Sequence, residues 1–269
     1  MSSPERAPMD VALLTSRLKT TPFAQGEIQY LPIAGSTNDV ARDLAEKGAP
    51  EGTIVIAESQ TRGRGRLGRT WHSPPGTGLY FSIVLRPSLD PSDLPKITLL
   101  AGVAVAEAIE ETTGLHPLIK WPNDLLLAGK KVAGILTELY GDITSPYVIL
   151  GIGINVHTRR EEFLPELQET ATSLDMAGGQ NISRANLLQA ILTHLGRWYE
   201  SFKKGAFQPI LDAWRKRCVI IGARVRILSG EKELEGTVVD MDVAGALLLR
   251  DQAGQIQRIL SGEVIRWEK

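Results

Sequence analysis

Three arginines alternate with glycines in the segment Gly63-Arg64-Gly65-Arg66-Leu67-Gly68-Arg69. A guanidinium offers paired N–H donors to carboxylate or phosphate oxygens. Glycine lets backbone N–H groups approach the same anion. The segment therefore carries the chemistry of an anion clamp. Three like charges in one loop repel each other, which predicts a loop that orders when an anionic ligand arrives. Taken alone, the residues also suit a solvated basic loop or an RGR-type nucleic-acid tail. Their position between two apolar strand-like runs, residues 53–57 and 79–85, favours a ligand loop.

The segment also satisfies G-x-G-x-x-G. A dinucleotide fold needs a helix to begin at that motif, with its N-terminus facing a pyrophosphate. Here the continuation is Arg69-Thr70-Trp71-His72-Ser73-Pro74-Pro75, which cannot open a helix. No HRD or DFG accompanies it, so a kinase glycine loop is excluded. No Walker sequence G-x-x-x-x-G-K-[ST] occurs.

Three further constellations carry chemistry. In Lys120-Trp121-Pro122-Asn123-Asp124-Leu125 an apolar strand delivers a lysine to the edge of a turn, where it can hold an anion. Asn123 and Asp124 have turn chemistry, and for Asp124 the turn is explanation enough. In Gly151-Ile152-Gly153-Ile154-Asn155 glycines alternate inside a strand, which weakens it unless something approaches closely. A ligand on that face and a tightly packed neighbour explain this equally well. In Ser36-Thr37-Asn38 helix capping accounts for one polar residue and not for all three. No Ser/His/Asp or Cys/His nucleophile arrangement stands out. That suits a reaction run by positioning and by charge stabilisation of phosphoryl chemistry.

Composition sets the frame. The chain has 269 residues, 43% hydrophobic and 23% charged, enough for one large domain and a small one. A net charge of −1 argues against non-specific nucleic-acid binding at whole-chain level. One cysteine, Cys218, and four scattered histidines give neither a disulfide framework nor a tight protein metal site. The first ten residues hold acids and no apolar h-region, so they do not read as a signal peptide. The longest apolar run, 99–106, is interrupted by Gly102 and closed by Glu107, well short of a membrane span. The cytoplasm is the compartment these features suit.

The elements that must position the motifs follow from periodicity. Residues 28–33, 53–57 and 79–85 read as strands, with 58–78 a long loop between the last two. Ser36 to Asp39 offer N-caps for a helix through Val40, Ala41, Leu44 and Ala45 that stops at Gly48. Residues 97–113 read as an apolar helix ended by Gly114. Strands are expected at 118–121, 125–127, 131–140 and 147–156. Ser183 can cap a helix whose apolar face holds Leu187, Leu188, Ile191, Leu192 and Leu195, and 207–217 reads as another. After about residue 220 four short alternating runs (223–228, 233–240, 246–250 and 255–260) suggest a small barrel.

Together these segments resemble the biotin–protein ligase family. The resemblance is carried by STND after a strand, Q-x-x-GRGR-x-GR-x-W, KWPNDL followed by K-x-AGIL-x-E, and G-x-GIN-V, in the family's order. It is strong over residues 28–157 and weaker beyond. Repressor members carry an N-terminal helix-turn-helix domain. Residues 1–25 hold one short amphipathic stretch, so the chain resembles the monofunctional form.

The resemblance implies an α+β fold: a mixed, mainly antiparallel sheet with flanking helices, like class II aminoacyl-tRNA synthetases, plus a small SH3-like C-terminal β-barrel. It implies an extension at 1–25, a catalytic domain at 26–219 and a C-terminal domain at 220–269. It further implies a two-step reaction, in which ATP with Mg²⁺ activates biotin as biotinyl-5′-AMP. A lysine of a carboxylase's biotin carrier domain then accepts the biotin. Carried over residue by residue, Ser36, Thr37, Asn38, Gln60, Arg64, Gly65, Arg66 and Lys120 would hold biotin, with Gly134 and Leu136 as a wall. Arg66, Arg69, Trp71, Lys120, Asn123 and Asn155 would hold ATP or the adenylate, and Arg66 and Lys120 would be catalytic. No specific DNA and no membrane is expected as partner, and a homodimer is compatible with this reading. Two rivals stand. One is a lipoate–protein ligase, whose usual arginine-rich motif differs and against which KWPND argues. The other is a nucleic-acid-binding module built on the RGR loop and the barrel, which lacks aromatic residues interleaved with the arginines.

Overall fold

The computed structural model describes residues 9–268 other than 20, 22, 89, 143 and 144. The reading of residues 1–8 as free of a signal segment lies outside the described residues. Seven strands form one sheet: β1 (Ile28–Leu31), β2 (Ile54–Ala57), β3 (Gly78–Leu85), β4 (Leu118–Lys120), β5 (Asp124–Leu127), β6 (Lys130–Tyr140) and β7 (Tyr147–Asn155). Their order across the sheet is β1-β2-β3-β7-β6-β5-β4. β1 and β2 run parallel, joined by the crossover helix α2 (Thr37–Glu46), and every other pair is antiparallel. The β5–β6 turn places Ala128 (φ 49°) and Gly129 (φ 78°) in the left-handed region, as a two-residue hairpin turn requires.

The sheet is buried on both faces, and the strand sequences show how. Leu79, Phe81, Ile83 and Leu85 of β3 join Val148, Leu150, Ile152 and Ile154 of β7 in the main core. That core is closed by α3 (Leu94–Thr113), α4 (Arg184–Lys203) and α5 (Gln208–Arg215). A short N-terminal helix, α1 (Val11–Leu18), adds Leu14 and Leu18. On the opposite face Val55, Val84, Tyr147 and Ile149 pack under Ala41 and Ala45 of α2 in a smaller cluster. The rest of that face is left for the site.

Several boundaries differ from the sequence reading. β1 stops at Leu31 rather than 33. α3 begins at Leu94, three residues early, because Pro95 is tolerated in a first turn. The last helix is shorter than 207–217. Ser36 stands at the N-cap of α2 but makes no capping bond. The free first-turn N–H, on Thr37, donates instead to the Gln60 side chain at 2.8 Å.

A second, antiparallel sheet has the order β11-β10-β9-β8-β12, built from β8 (Arg224–Ser229), β9 (Lys232–Met241), β10 (Leu247–Arg250), β11 (Ile256–Ile259) and β12 (Glu263–Glu268). Four of these strands match the expected runs. β12 was not expected, because only Val264 of its six residues is buried and its charges hide the alternation. Among the described residues no helix is long and apolar enough to cross a membrane.

Candidate active site

The floor of the site is main chain. On the face shared with α2, β7 presents Tyr147, Ile149, Gly151, Gly153 and Asn155 in succession. The first two lie under α2, and the next two have no side chain to fill the space. A Cβ built on Gly151 would lie 2.1 Å from Asn38 Oδ1, and one on Gly153 2.5 Å from Trp71 Nε1. On Gly134, the cross-strand neighbour of Gly153, it would lie 3.0 Å from the Trp71 ring. The alternating glycines therefore admit two side chains, Asn38 and Trp71, that themselves line the cavity. Gly153→Ala is expected to displace Trp71 and to destabilise the protein by about 1–3 kcal/mol, as overpacking does. Urea denaturation checks this, and an unchanged midpoint would contradict the packing.

At one end of the cavity lies a buried polar chain. Gln60 Oε1 accepts from the Thr37 backbone N–H at 2.8 Å and lies 3.2 Å from the Thr37 hydroxyl oxygen, while Gln60 Nε2 donates to Ser73 Oγ at 2.9 Å. Ser82 Oγ, fully buried in the middle of β3, lies 2.8 Å from Thr37 Oγ1 and 2.5 Å from Asn38 Oδ1. Asn38 Nδ2 donates to Glu138 Oε2 at 2.7 Å. With Ser36, the uncharged groups among these form a hydrogen-bonding recess on the first turn of α2, backed by the Glu138 carboxylate.

The arginine loop departs from the expected picture of three free charges. Its centre is a short turn, Arg66–Gly68, with Leu67 at φ 56°. Gly65 N–H donates back to the Arg69 carbonyl at 2.7 Å, which ties the loop across its base. Arg64 is paired with Glu138 at 2.7 Å and Asp39 at 3.1 Å, and Arg69 with Glu263 of β12 at 2.5 Å. Carboxylates from three other elements thus offset the repulsion that predicted a loose loop. Arg66 alone of the three makes no carboxylate pair among the described residues. Its Nη1 donates to the Gly262 carbonyl (3.2 Å) and lies 3.4 Å from Asn123 Oδ1. Burial lowers its pKa, against the nearby Asp124 and Glu263. Two spent arginines leave the loop poorly suited to tracking a nucleic-acid backbone.

Lys120 lines the same cavity as Arg66. The pairing of five strands sets Tyr80, Gly153, Gly134, Asp124 and Lys120 in one row. Asp124 is more than a turn residue: it pairs with Lys131 at 2.6 Å, and Lys131 lies 5.4 Å from the Trp71 ring centre. With Asp124 engaged, Lys120 makes no ion pair among the described residues, and burial lowers its pKa. Asn123 is locked to β6 by donating to the Ile135 carbonyl at 2.9 Å, and Asn155 by donating to the Thr172 carbonyl at 3.0 Å.

One cavity of about 500 Å³ is lined by all fourteen residues singled out in the sequence: Ser36, Thr37, Asn38, Gln60, Arg64, Gly65, Arg66, Arg69, Trp71, Lys120, Asn123, Gly134, Leu136 and Asn155. The sequence reading missed Ser82 and Glu263, and gave no role to Glu138, the last letter of K-x-AGIL-x-E. Ser82 sits in an otherwise apolar strand, and the other two are acids at an anion site. The single polar letter in GLYFSIVL was the one available signal for Ser82.

The comparisons with known proteins agree with this geometry. Residues 30–155 match the Biotin/lipoate A/B protein ligase family, and residues 220–267 match the Biotin protein ligase C terminal domain. The biotin–[acetyl-CoA-carboxylase] ligase of Mycobacterium tuberculosis is 31% identical over 270 residues, 97% of this chain and 96% of that one. The bifunctional ligase/repressor BirA of Bacillus subtilis is 41% identical over 250 residues, 92% of this chain and 76% of that one. The chain belongs to the biotin protein ligase family. Among solved members, the Aquifex aeolicus biotin protein ligase in complex with biotin and ATP superposes with a TM-score of 0.78 at 35% identity, covering 90% of this chain and 97% of that one. Family membership accounts for both the mixed sheet with its helices and the separate C-terminal antiparallel sheet.

Proposed function

We propose that the chain is a biotin–[acetyl-CoA-carboxylase] ligase that works through biotinyl-5′-AMP. The carrying observation is the pair Arg66 and Lys120, two half-buried cations without carboxylate partners at one end of a cavity whose other end is neutral and polar. In the first step a biotin carboxylate oxygen attacks the α-phosphorus of ATP, and pyrophosphate leaves. Two anions must meet for this, and Arg66 and Lys120 offset their repulsion and the charge that builds on the α-phosphate. In the second step a lysine amine of the carrier domain attacks the acyl carbon, loses a proton and releases AMP.

The remaining roles follow the same division. Ser36, Thr37, Asn38 and Gln60 take the neutral head of biotin, with Arg64, Gly65, Gly134 and Leu136 around it. Trp71, Arg69, Asn123 and Asn155 serve the nucleotide end. Magnesium fits as the ion that ATP brings. Among the described residues no group of three or more His, Cys, Asp or Glu is placed to hold a metal, so phosphate oxygens and water would be its main ligands. We divide the chain into an extension (1–25), a catalytic domain (26–219) and a C-terminal domain (220–269), and assign it to the cytoplasm.

Substrate-dependent ATP–pyrophosphate exchange tests this reading. Biotin with ATP and Mg²⁺ is expected to support exchange, and lipoate is not. Exchange with lipoate alone, or none with either, would overturn it.

A further inference from the structure

Glu138 is an acid behind two residues that line a cavity suited to anions, Asn38 and Arg64, and the proposed reaction gives it nothing to do. Its Oε2 accepts from Asn38 Nδ2 and from Arg64 Nη2, both at 2.7 Å. A carboxylate only accepts, so the Asn38 amide must turn its nitrogen toward Glu138. Its oxygen then faces Ser82 Oγ at 2.5 Å, and the single Ser82 proton is committed there. Ser82 is left able only to accept from the Thr37 hydroxyl, 2.8 Å away. Asn38 and Thr37 are each 4% exposed and Ser82 is fully buried, so bulk water does not compete for these bonds. One carboxylate therefore sets the direction of every hydrogen bond from Asn38 to Thr37. Thr37 lone pairs and the second Asn38 N–H are what remains for a ligand.

The same end of the cavity is not cationic. Arg64 stands between two carboxylates, Glu138 and Asp39. The opposite end holds Arg66 and Lys120 without ion pairs. A molecule with an uncharged cyclic urea at one end and a carboxylate at the other meets matching surroundings in one orientation only.

We propose that Glu138 is a positioning residue for biotin. It fixes the Asn38 amide and, through Ser82, the Thr37 hydroxyl, so that the recess accepts the urea head and turns away a carboxylate. This rests on the ligase reading above. Pyrophosphate exchange by Glu138→Leu and Glu138→Gln tests it, with kcat and the KM values for biotin and ATP measured separately. Leucine cannot accept a hydrogen bond, so the biotin KM is expected to rise about tenfold or more, the size of a lost bond to a charged group. The ATP KM stays unchanged. Glutamine keeps an acceptor oxygen for Asn38 and is expected to return the biotin KM to within about threefold of wild type. A wild-type biotin KM in the leucine variant, or equal impairment in both, would overturn the proposal. If the leucine variant fails to fold, Ser82→Ala removes the middle of the relay alone. It should raise the biotin KM without moving the ATP KM, and an unchanged biotin KM would overturn the proposal. Failure of the wild-type chain to use biotin would sink the ligase reading by itself. The relay can then be read without substrate, from the side-chain amide resonance of Asn38 in the ligand-free protein. That resonance should move in Glu138→Leu and hold in Glu138→Gln, and no movement in either would count against it.

Discussion

Arg66→Ala and Lys120→Ala are each expected to slow biotinyl-adenylate formation by about 10²–10³-fold, the loss typical of removing one donor aimed at developing charge. Folding is not expected to suffer. Neither side chain has a carboxylate partner, and Arg66 makes only two long contacts, at 3.2 and 3.4 Å, to uncharged oxygens. A half-buried cation without a counter-ion costs free energy to keep, so its removal leaves the melting temperature level or raises it. The pH dependence separates the two residues. Burial lowers the Lys120 pKa, so its charge is lost as pH rises, earlier than for an ordinary lysine. The alkaline limb of the adenylation rate should follow that loss. Lys120→Arg, which does not titrate in this range, should move the limb upward. Single-turnover pyrophosphate release measures all of this. A rate near wild type in Arg66→Ala and Lys120→Ala would remove both residues from the chemistry.

Arg184→Ala is expected to destabilise the protein by about 3–5 kcal/mol, the cost of leaving a buried charge without its partner. Arg184 opens α4 with its side chain 2% exposed, and its Nη1 donates to Glu58 Oε2 at 2.7 Å. The same nitrogen donates to the Gly78 carbonyl at 3.1 Å, and Nη2 reaches the other Glu58 oxygen at 3.3 Å. Glu58 also accepts from the Tyr30 hydroxyl at 2.5 Å and the Met9 backbone N–H at 3.2 Å. This knot joins the N-terminal segment, β1, the end of β2, the start of β3 and α4. It lies two residues before Gln60 and at the foot of the arginine loop, so the site is hung from it. Urea denaturation gives the size of the effect. A loss below about 1 kcal/mol, that of an exposed pair, would refute the assignment.

The strands and the motif-bearing turns were legible because their signals are local. TIVIA and LYFSIVL read as buried strands and are so; GRGRLGR read as a loop and KWPND as a turn at a strand end. What was not legible depends on partners far along the chain. Arg64 meets Glu138 74 positions on, and Asn38 meets the same acid 100 positions on. No periodicity announces such pairs, so the loop read as three free charges when two are compensated. Ser36 read as a helix cap for a similar reason. The N–H that needed a partner found Gln60, 23 positions away. The glycines of β7 announced a close approach, and only the fold could say that Asn38 and Trp71 make it.

Arg66 rests on the Gly262 carbonyl and Arg69 on Glu263, 196 and 194 positions further along the chain. Translated into time, that spacing means the wall at β12 leaves the ribosome roughly 10–40 s after the loop it steadies, at ordinary rates of synthesis. For that interval the nascent chain displays its cationic motif with one side of the cavity still unmade. The loop acquires these two contacts only when the C-terminal sheet has formed and docked, so the cavity wall they complete is the last part of the site to be made.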